Sequence, residues 1–236
     1  MSRDGASIAK ITEALEEDIL FGRLRSRERL VEDDLIDRFK ATRHHVRLAL
    51  AELERMGIVN RIPNKGAVVR DFTLEEIEQI CAVRELLHDQ AASMIPLPAD
   101  PGLLRRLETL HRAHTAAVGK KNPREIHHIN NEFHETLFAA CGNTYLARTI
   151  ADYARLSLAF RCHLMVNPVL ASKARDEHAA MIEALKQGQR DILRRLCVEH
   201  TRMSKEFYMH LQGWAPSPTP DLVAVGPAAA QRRRVR

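Results

Sequence analysis

Residues 39–70 read FKATRHHVRLALAELERMGIVNRIPNKGAVVR, a helix-forming run that passes directly into two β-prone stretches joined by a turn tetrapeptide. That order of elements in so short a span constrains the fold more than any other feature of the chain. Val46, Leu50 and Leu53 recur at helical spacing and bury one face, while Arg43, His44 and Arg47 lie opposite. Thr42 stands at the N-cap, where its hydroxyl accepts from a free backbone amide, and Gly57 stops the helix. Ile58-Val59-Asn60-Arg61 and Ala67-Val68-Val69-Arg70 flank Pro63-Asn64-Lys65-Gly66, which predicts a two-stranded wing whose tip carries Lys65 beside Gly66. Ahead of it, Ile8 to Leu20 forms an amphipathic helix and Val31 to Phe39 a second one. Three helices and a wing make a winged helix-turn-helix, with guanidinium forks placed to meet guanine edges or phosphates. Most exposed arginines on helices are simply solvated, so spacing alone leaves DNA contact and a charged surface as alternatives.

The rest of the chain predicts a different layer. Thr73 with Glu76 three residues on is a capping-box signature and opens a new helix. Helices are then expected over about 74–94, 101–118, 123–140, 144–166, 170–187 and 189–211, with a Gly, Pro or Asn in every break and loops short enough for antiparallel neighbours. The predicted fold is mostly α: a winged helix-turn-helix at 1–72, an antiparallel bundle of about six helices at 73–212, and a disordered tail at 213–236. The tail is rich in Pro and Ala and ends in Arg232-Arg233-Arg234-Val235-Arg236, a composition that cannot bury a core.

Composition narrows the function classes. Hydrophobic residues make up 45% and aromatics only 5% of 236 residues, so the core is aliphatic. The net charge of +5 is compatible with nucleic acid but modest, and part of it sits in the tail. Cys81, Cys141, Cys162 and Cys197 show no Cys-x-x-Cys spacing and read as buried, reduced thiols. No apolar run approaches the length of a bilayer span and no signal-peptide core is evident, so a cytoplasmic protein is expected.

In the second layer, Asn130 and His134 are four residues apart and share a helix face, while His178 and His200 fall on the last two predicted helices. Three imidazoles and an oxygen donor suit a divalent metal such as zinc, nickel, iron or manganese. The alternative is scattered imidazoles in a chain with 12 histidines. His127, two turns before His134, offers a substitute ligand, whereas His128 and Asn131 point elsewhere on the wheel. Arg84 lies within the apolar pattern Ile80, Cys81, Val83, Leu87 and Ala91, where a charge needs a partner: a nearby Glu or a bound anion.

These segments also resemble a known family. Phe21-Gly22-Arg23-Leu24, Leu30, Glu32, Leu35, Thr42-Arg43, Val46-Arg47, Ala49-Leu50, Leu53, Gly57-Ile58-Val59, Pro63 and Gly66 are similar to the DNA-binding domain of GntR-type transcriptional regulators. There are departures: Lys40-Ala41 occupy the turn where the family usually has Gly-Val, Leu48 replaces a usual Glu, and His44-His45 replace a Thr-Pro or similar pair. Ile129-Asn130-Asn131-Glu132-Phe133-His134 with Cys141-Gly142-Asn143, His178, His200 and Val83-Arg84-Glu85-Leu86-Leu87 resemble the FCD effector domain of the FadR-like branch. The resemblance implies a metal held by an Asp and three His at the floor of an effector pocket. Here Asn130 takes the Asp position, so the protein ligands would be wholly neutral. It further implies Arg84 at the pocket wall, gripping an effector carboxylate, with His88 one turn on. Arg161 is a weaker candidate for the same role, and reads first as a solvated helix charge.

The expected function is therefore ligand-responsive transcriptional regulation rather than catalysis. A homodimer reads an imperfect palindrome of double-stranded DNA through Thr42, Arg43, His44, Arg47, Lys65 and Gly66, and answers to a small anionic effector held at a divalent metal. The alternatives are a metal-dependent enzyme fused to a DNA reader, and an architectural DNA-binding dimer with no effector.

Overall fold

The computed structural model describes residues 6–63, 65–161 and 167–214. Cys162, Asn64 and nearly all of the tail expected to be disordered lie outside the described residues.

The N-terminal core is built from the predicted apolar stripes. Helix α1 (Ile8–Leu20) is capped by Ser7, whose hydroxyl accepts from Lys10 N at 3.3 Å, and it buries Ile11, Leu15, Ile19 and Leu20. Helix α3 (Arg43–Arg55) packs against it and α2 (Glu32–Phe39) against α3, with Val46, Ala49, Leu50 and Leu53 at most 1% exposed. Thr42 caps α3 by accepting from His45 N at 3.2 Å, as expected. The wing consists of β2 (Val59–Ile62) and β3 (Gly66–Val69), but a third strand, β1 (Arg29–Leu30), joins the far edge of β3 to give the order β1-β3-β2. Two residues are too few to show alternation, so periodicity could not reveal β1. Its presence explains Gly66: with φ at +89°, a Cβ there would land on the Leu30 carbonyl oxygen.

Lys40, where the resemblance has Gly, keeps the left-handed conformation, with φ at +50°. The turn is thus unchanged in shape and strained in energy, because an L side chain crowds its own carbonyl there. Lys40→Gly is expected to raise stability by about 0.5–1 kcal/mol, read as a higher urea midpoint. A lower midpoint would mean that the Lys40 side chain itself holds the turn.

The second layer begins at Thr73, which forms the full capping box with Glu76 (Thr73 N to Oε2 2.9 Å, Glu76 N to Oγ1 3.2 Å). Helices α4 (Leu74–Met94), α5 (Pro101–Gly119), α6 (Pro123–Ala139) and α7 (Thr144–Leu156) follow, then the short α8 (Leu158–Arg161), α9 (Pro168–Lys186) and α10 (Arg190–Leu211). Asp100, Asn122, Asn143 and Asn167 cap α5, α6, α7 and α9 through side-chain oxygens. Along the bundle α10 lies against α4, α5 against α6, and α9 against both α5 and α10.

The expected single helix at 144–166 does not form. The chain breaks at Ser157, which is fully buried and donates from Oγ to the Ala154 carbonyl at 2.9 Å. After the break, Leu158 of α8 lies in the N-terminal core, with Ile11, Leu15 and Leu50. Phe21 packs on both cores, and Glu17 of α1 pairs with Arg124 of α6 at 2.7 Å. Helical periodicity describes one helix at a time and carries no information about which neighbouring core a residue will enter.

Candidate functional site

Three helices bring the imidazoles together. His134 projects from α6, His178 from α9 and His200 from α10. The Nε2 atoms of His134 and His200 are 3.0 Å apart, those of His134 and His178 3.3 Å, and the three ligand atoms all lie within 4.8 Å of one another. Aromatic packing fixes the rings: Phe133 stacks on His178 with centroids 4.0 Å apart, and Phe138 lies parallel to His134 at 6.0 Å.

Electrostatics favour a cation at this point. Burial, followed by the neighbouring imidazoles, holds His134 and His178 well below their usual pKa, which leaves neutral rings with lone pairs. His200 Nδ1 lies 2.6 Å from Glu177 Oε2; in the neutral ring the proton then sits on Nδ1 and the Nε2 lone pair faces the cluster. One proton on His134 Nε2 could serve only one of its two neighbours, whereas a cation satisfies all three nitrogens at once. Tetrahedral zinc–nitrogen bonds of about 2.0–2.1 Å place ligand nitrogens roughly 3.3 Å apart, close to the two separations from His134. The donor set fits a borderline divalent metal.

Asn130, one turn before His134, is 1% exposed, and neither its Oδ1 nor its Nδ2 has a hydrogen-bond partner. A buried amide with both ends unsatisfied is costly unless something binds it. His127 does not join the triad. It faces Asn131 Nδ2 at 3.0 Å, and both line the cavity described next, so Asn131 does not point away as the helical wheel predicts. The cavity wraps around more of α6 than one narrow stripe.

That cavity, of about 330 Å³, opens beside the histidines. His134, His200 and Asn130 line it together with Arg84, His88 and Arg161, and its apolar wall includes Ile126, Phe138 and Ile150. Every sequence-predicted effector residue is thus on one cavity. Arg84 does not take the neighbouring-Glu option: Glu85 pairs with Arg202 at 2.6 Å, and Arg84 Nε and Nη1 have no partner. Arg161 is 8% exposed and donates from Nη1 to the Ala154 carbonyl at 3.2 Å, so a solvated charge is not its role. His88 is buried and packs on Phe138 with centroids 4.5 Å apart.

Three residues on this site were not singled out from the sequence. Glu177 orients His200, and His114 of α5, 1% exposed, faces His178 with ring centroids 5.1 Å apart. Glu16 reaches the same cavity from α1. Each acts across an interhelical contact, which no one-helix pattern records.

At the other end, Arg43 and Arg47 stand half-exposed on α3 and share a carboxylate on α2. Glu32 accepts from Arg47 Nε at 2.9 and 3.0 Å and from Arg43 Nη1 at 3.2 Å, and Asp33 accepts from Arg43 Nη2 at 2.6 Å. These carboxylates hold the Arg43 guanidinium above its usual pKa. The stems are therefore fixed in place while part of each fork remains open to solvent. His44, Leu48 and Lys65 are exposed on the same domain, with Lys65 at the wing tip.

Sequence families match both halves. Residues 8–69 match the bacterial regulatory proteins of the gntR family, and residues 79–203, more than half of the chain, match the FCD domain. The chain belongs to the GntR family and carries an FCD domain. HTH-type transcriptional regulator BphR of Paraburkholderia xenovorans is 27% identical over 189 residues, covering 75% of this chain and 76% of that protein. HTH-type transcriptional regulator YdhC of Bacillus subtilis is 23% identical over 198 residues, covering 84% and 88%. McbR/YncC of E. coli has the same fold, with a TM-score of 0.75 over 87% of this chain and 98% of that one at 17% identity. A GntR-type regulator from a Rhodococcus species gives 0.70 over 86% and 97% at 16% identity. This GntR-family chain is a transcriptional regulator, not an enzyme, as its family and relatives are. No helix among the described residues is long and apolar enough to cross a membrane.

Proposed function

We propose that this regulator binds operator DNA as a cytoplasmic homodimer and changes its DNA affinity when a small carboxylate binds at a divalent metal in the helical domain. The carrying observation is the meeting of three Nε2 atoms at the edge of a cavity that also holds an unpartnered, buried Arg84. In this reading His134, His178, His200 and the Asn130 carbonyl hold the metal. Arg84 grips the carboxylate through a two-pronged hydrogen bond, and His88 and Arg161 shape the pocket. The metal supplies positive charge that no protein ligand offsets, which favours an anion as the completing ligand.

The domain boundary falls at Thr73, where the new capping box begins. Thr42 positions α3, Arg43, His44 and Arg47 read the major groove, and Lys65 beside Gly66 reaches the backbone or minor groove. Leu86 and Tyr145, 71% and 84% exposed on the adjoining helices α4 and α7, support a surface that a second copy covers. Coupling is supported by Glu16 of α1 in the cavity wall and by Leu158 of α8 in the N-terminal core. An occupant that prefers one placement of α8 over another shifts the DNA-binding domain with it.

The test is operator affinity of the zinc-loaded protein with and without a carboxylate identified by calorimetry, expected to differ at least about tenfold, or 1.4 kcal/mol of coupling. In the same experiment Asn130→Asp is expected to hold zinc more tightly and to bind the carboxylate about tenfold more weakly, because it adds like charge beside the anion. Loss of zinc in Asn130→Asp, or operator affinity indifferent to every bound carboxylate, overturns the reading.

A further inference from the structure

Arg84 is not the only cation in the cavity without a counter-ion. Arg84 is 4% and Arg161 8% exposed, both line the cavity, and neither forms an ion pair among the described residues. Nearby acids are engaged elsewhere: Glu85 is paired with Arg202, and Glu177 faces His200 and Lys173. Glu16, whose carboxyl is raised above the usual range by burial, and the exposed Glu135 also line the cavity, and neither pairs with Arg84 or Arg161 among the described residues. The two guanidiniums also act on each other. Burial first, then the Arg84 charge, pulls Arg161 down to about 9, still cationic at neutral pH.

Two like charges buried in one cavity, neither paired with a carboxylate among the described residues, are costly in an isolated protein. Hydrogen-bonding geometry sharpens the point. Arg84 leaves Nε and Nη1 unused, so donors on two different sides of its planar guanidinium are free to meet a carboxylate. Arg161 is held by the Ala154 carbonyl through Nη1, which fixes its stem from the α8 side of the cavity. A monocarboxylate shared between the metal position and Arg84 would leave Arg161 uncompensated.

We infer that the effector is a dicarboxylate, one carboxylate directed to the histidine cluster and the second held between Arg84 and Arg161. The inference rests on the metal-and-carboxylate reading above and deepens it by naming the charge and the number of acidic groups. The apolar wall of Ile126, Phe138 and Ile150 lies along the same cavity and suits the carbon skeleton between two acidic ends. Because α8 carries both Arg161 and Leu158, the second carboxylate is also the group nearest the connection to the DNA-binding core.

The test uses the zinc-loaded full chain and calorimetry with the straight-chain diacids from malonate to pimelate, each against the monoacid of equal length. At least one diacid is expected to bind roughly tenfold or more tightly than its monoacid, since the second carboxylate gains charge-assisted hydrogen bonds. In Arg161→Gln and in Arg84→Gln that advantage should fall to near unity with zinc content retained. If the monoacids bind as tightly as the diacids throughout, the two-carboxylate inference fails while the carboxylate reading stands. If no acid of either series binds, both fail. A diacid preference that survives both substitutions overturns the arginine clamp. The comparison of diacids with monoacids on the parent protein stands even if a variant does not fold.

Discussion

Replacement of His134, His178 or His200 by Ala, one at a time, is expected to take bound zinc from one ion per chain to a small fraction, measured by elemental analysis after dialysis. The three Nε2 atoms form one ligand set, so removing any of them leaves two nitrogens and a neutral amide, too few for a closed shell around a dication. A metal present at about a thousand times its dissociation constant stabilises the folded state by roughly 4 kcal/mol, so the parent should also melt lower when stripped by a chelator. Metal content, rather than melting temperature, decides the matter. His178 is fully buried against Phe133, and its truncation leaves a cavity that costs stability with or without a metal. Glu177→Gln offers a milder control, with metal affinity expected to fall about 10- to 100-fold as the carboxylate behind His200 is lost. If all three single variants keep the parent's metal content, the imidazoles are structural and the proposed site is wrong.

Arg43→Ala combined with Arg47→Ala should reduce affinity for an operator selected from random duplexes by about 2–6 kcal/mol, taking about 1–3 kcal/mol for each contact of this type. Part of the effect comes through Glu32. Its side chain is 11% exposed and takes hydrogen bonds from both arginines, so removing both leaves a nearly buried carboxylate unpaired. The double variant Arg43→Lys, Arg47→Lys separates the effects. It keeps the charge near Glu32 and the phosphates, so the salt dependence of binding should persist while discrimination between operator and random DNA falls. Operator affinity unchanged in the Ala double variant, in protein shown to be folded by its melting curve, would remove α3 as the reading element.

Local pattern and local chemistry were legible in the sequence. Val46, Leu50 and Leu53 fixed the buried face of α3, Thr42 and Thr73 marked helix starts through backbone amides only three residues away, and Gly66 marked the hairpin. Each of these rests on interactions between residues close in the chain, where spacing is a sufficient description. The likeness of both halves to known domains went further and placed His134, His178, His200, Arg84 and His88 in one site, and the structure brings all five to one cavity or its floor.

What only the tertiary structure decided depends on distant segments meeting. Strand β1 exists because β3 offers Leu30 an edge, and a two-residue strand has no period to read. The helix expected at 144–166 is interrupted at Ser157, and Leu158 after it lies in the N-terminal core, a placement that tertiary burial and not propensity records. Arg161 reads as an ordinary helix charge until packing closes the cavity over it and leaves it beside Arg84 without an acid. Glu177 behind His200 and Glu16 at the cavity wall likewise acquire their settings across helix contacts. Sequence spacing determines which residues share a face; the free energy of burying that face against a particular neighbour determines what the residues meet there.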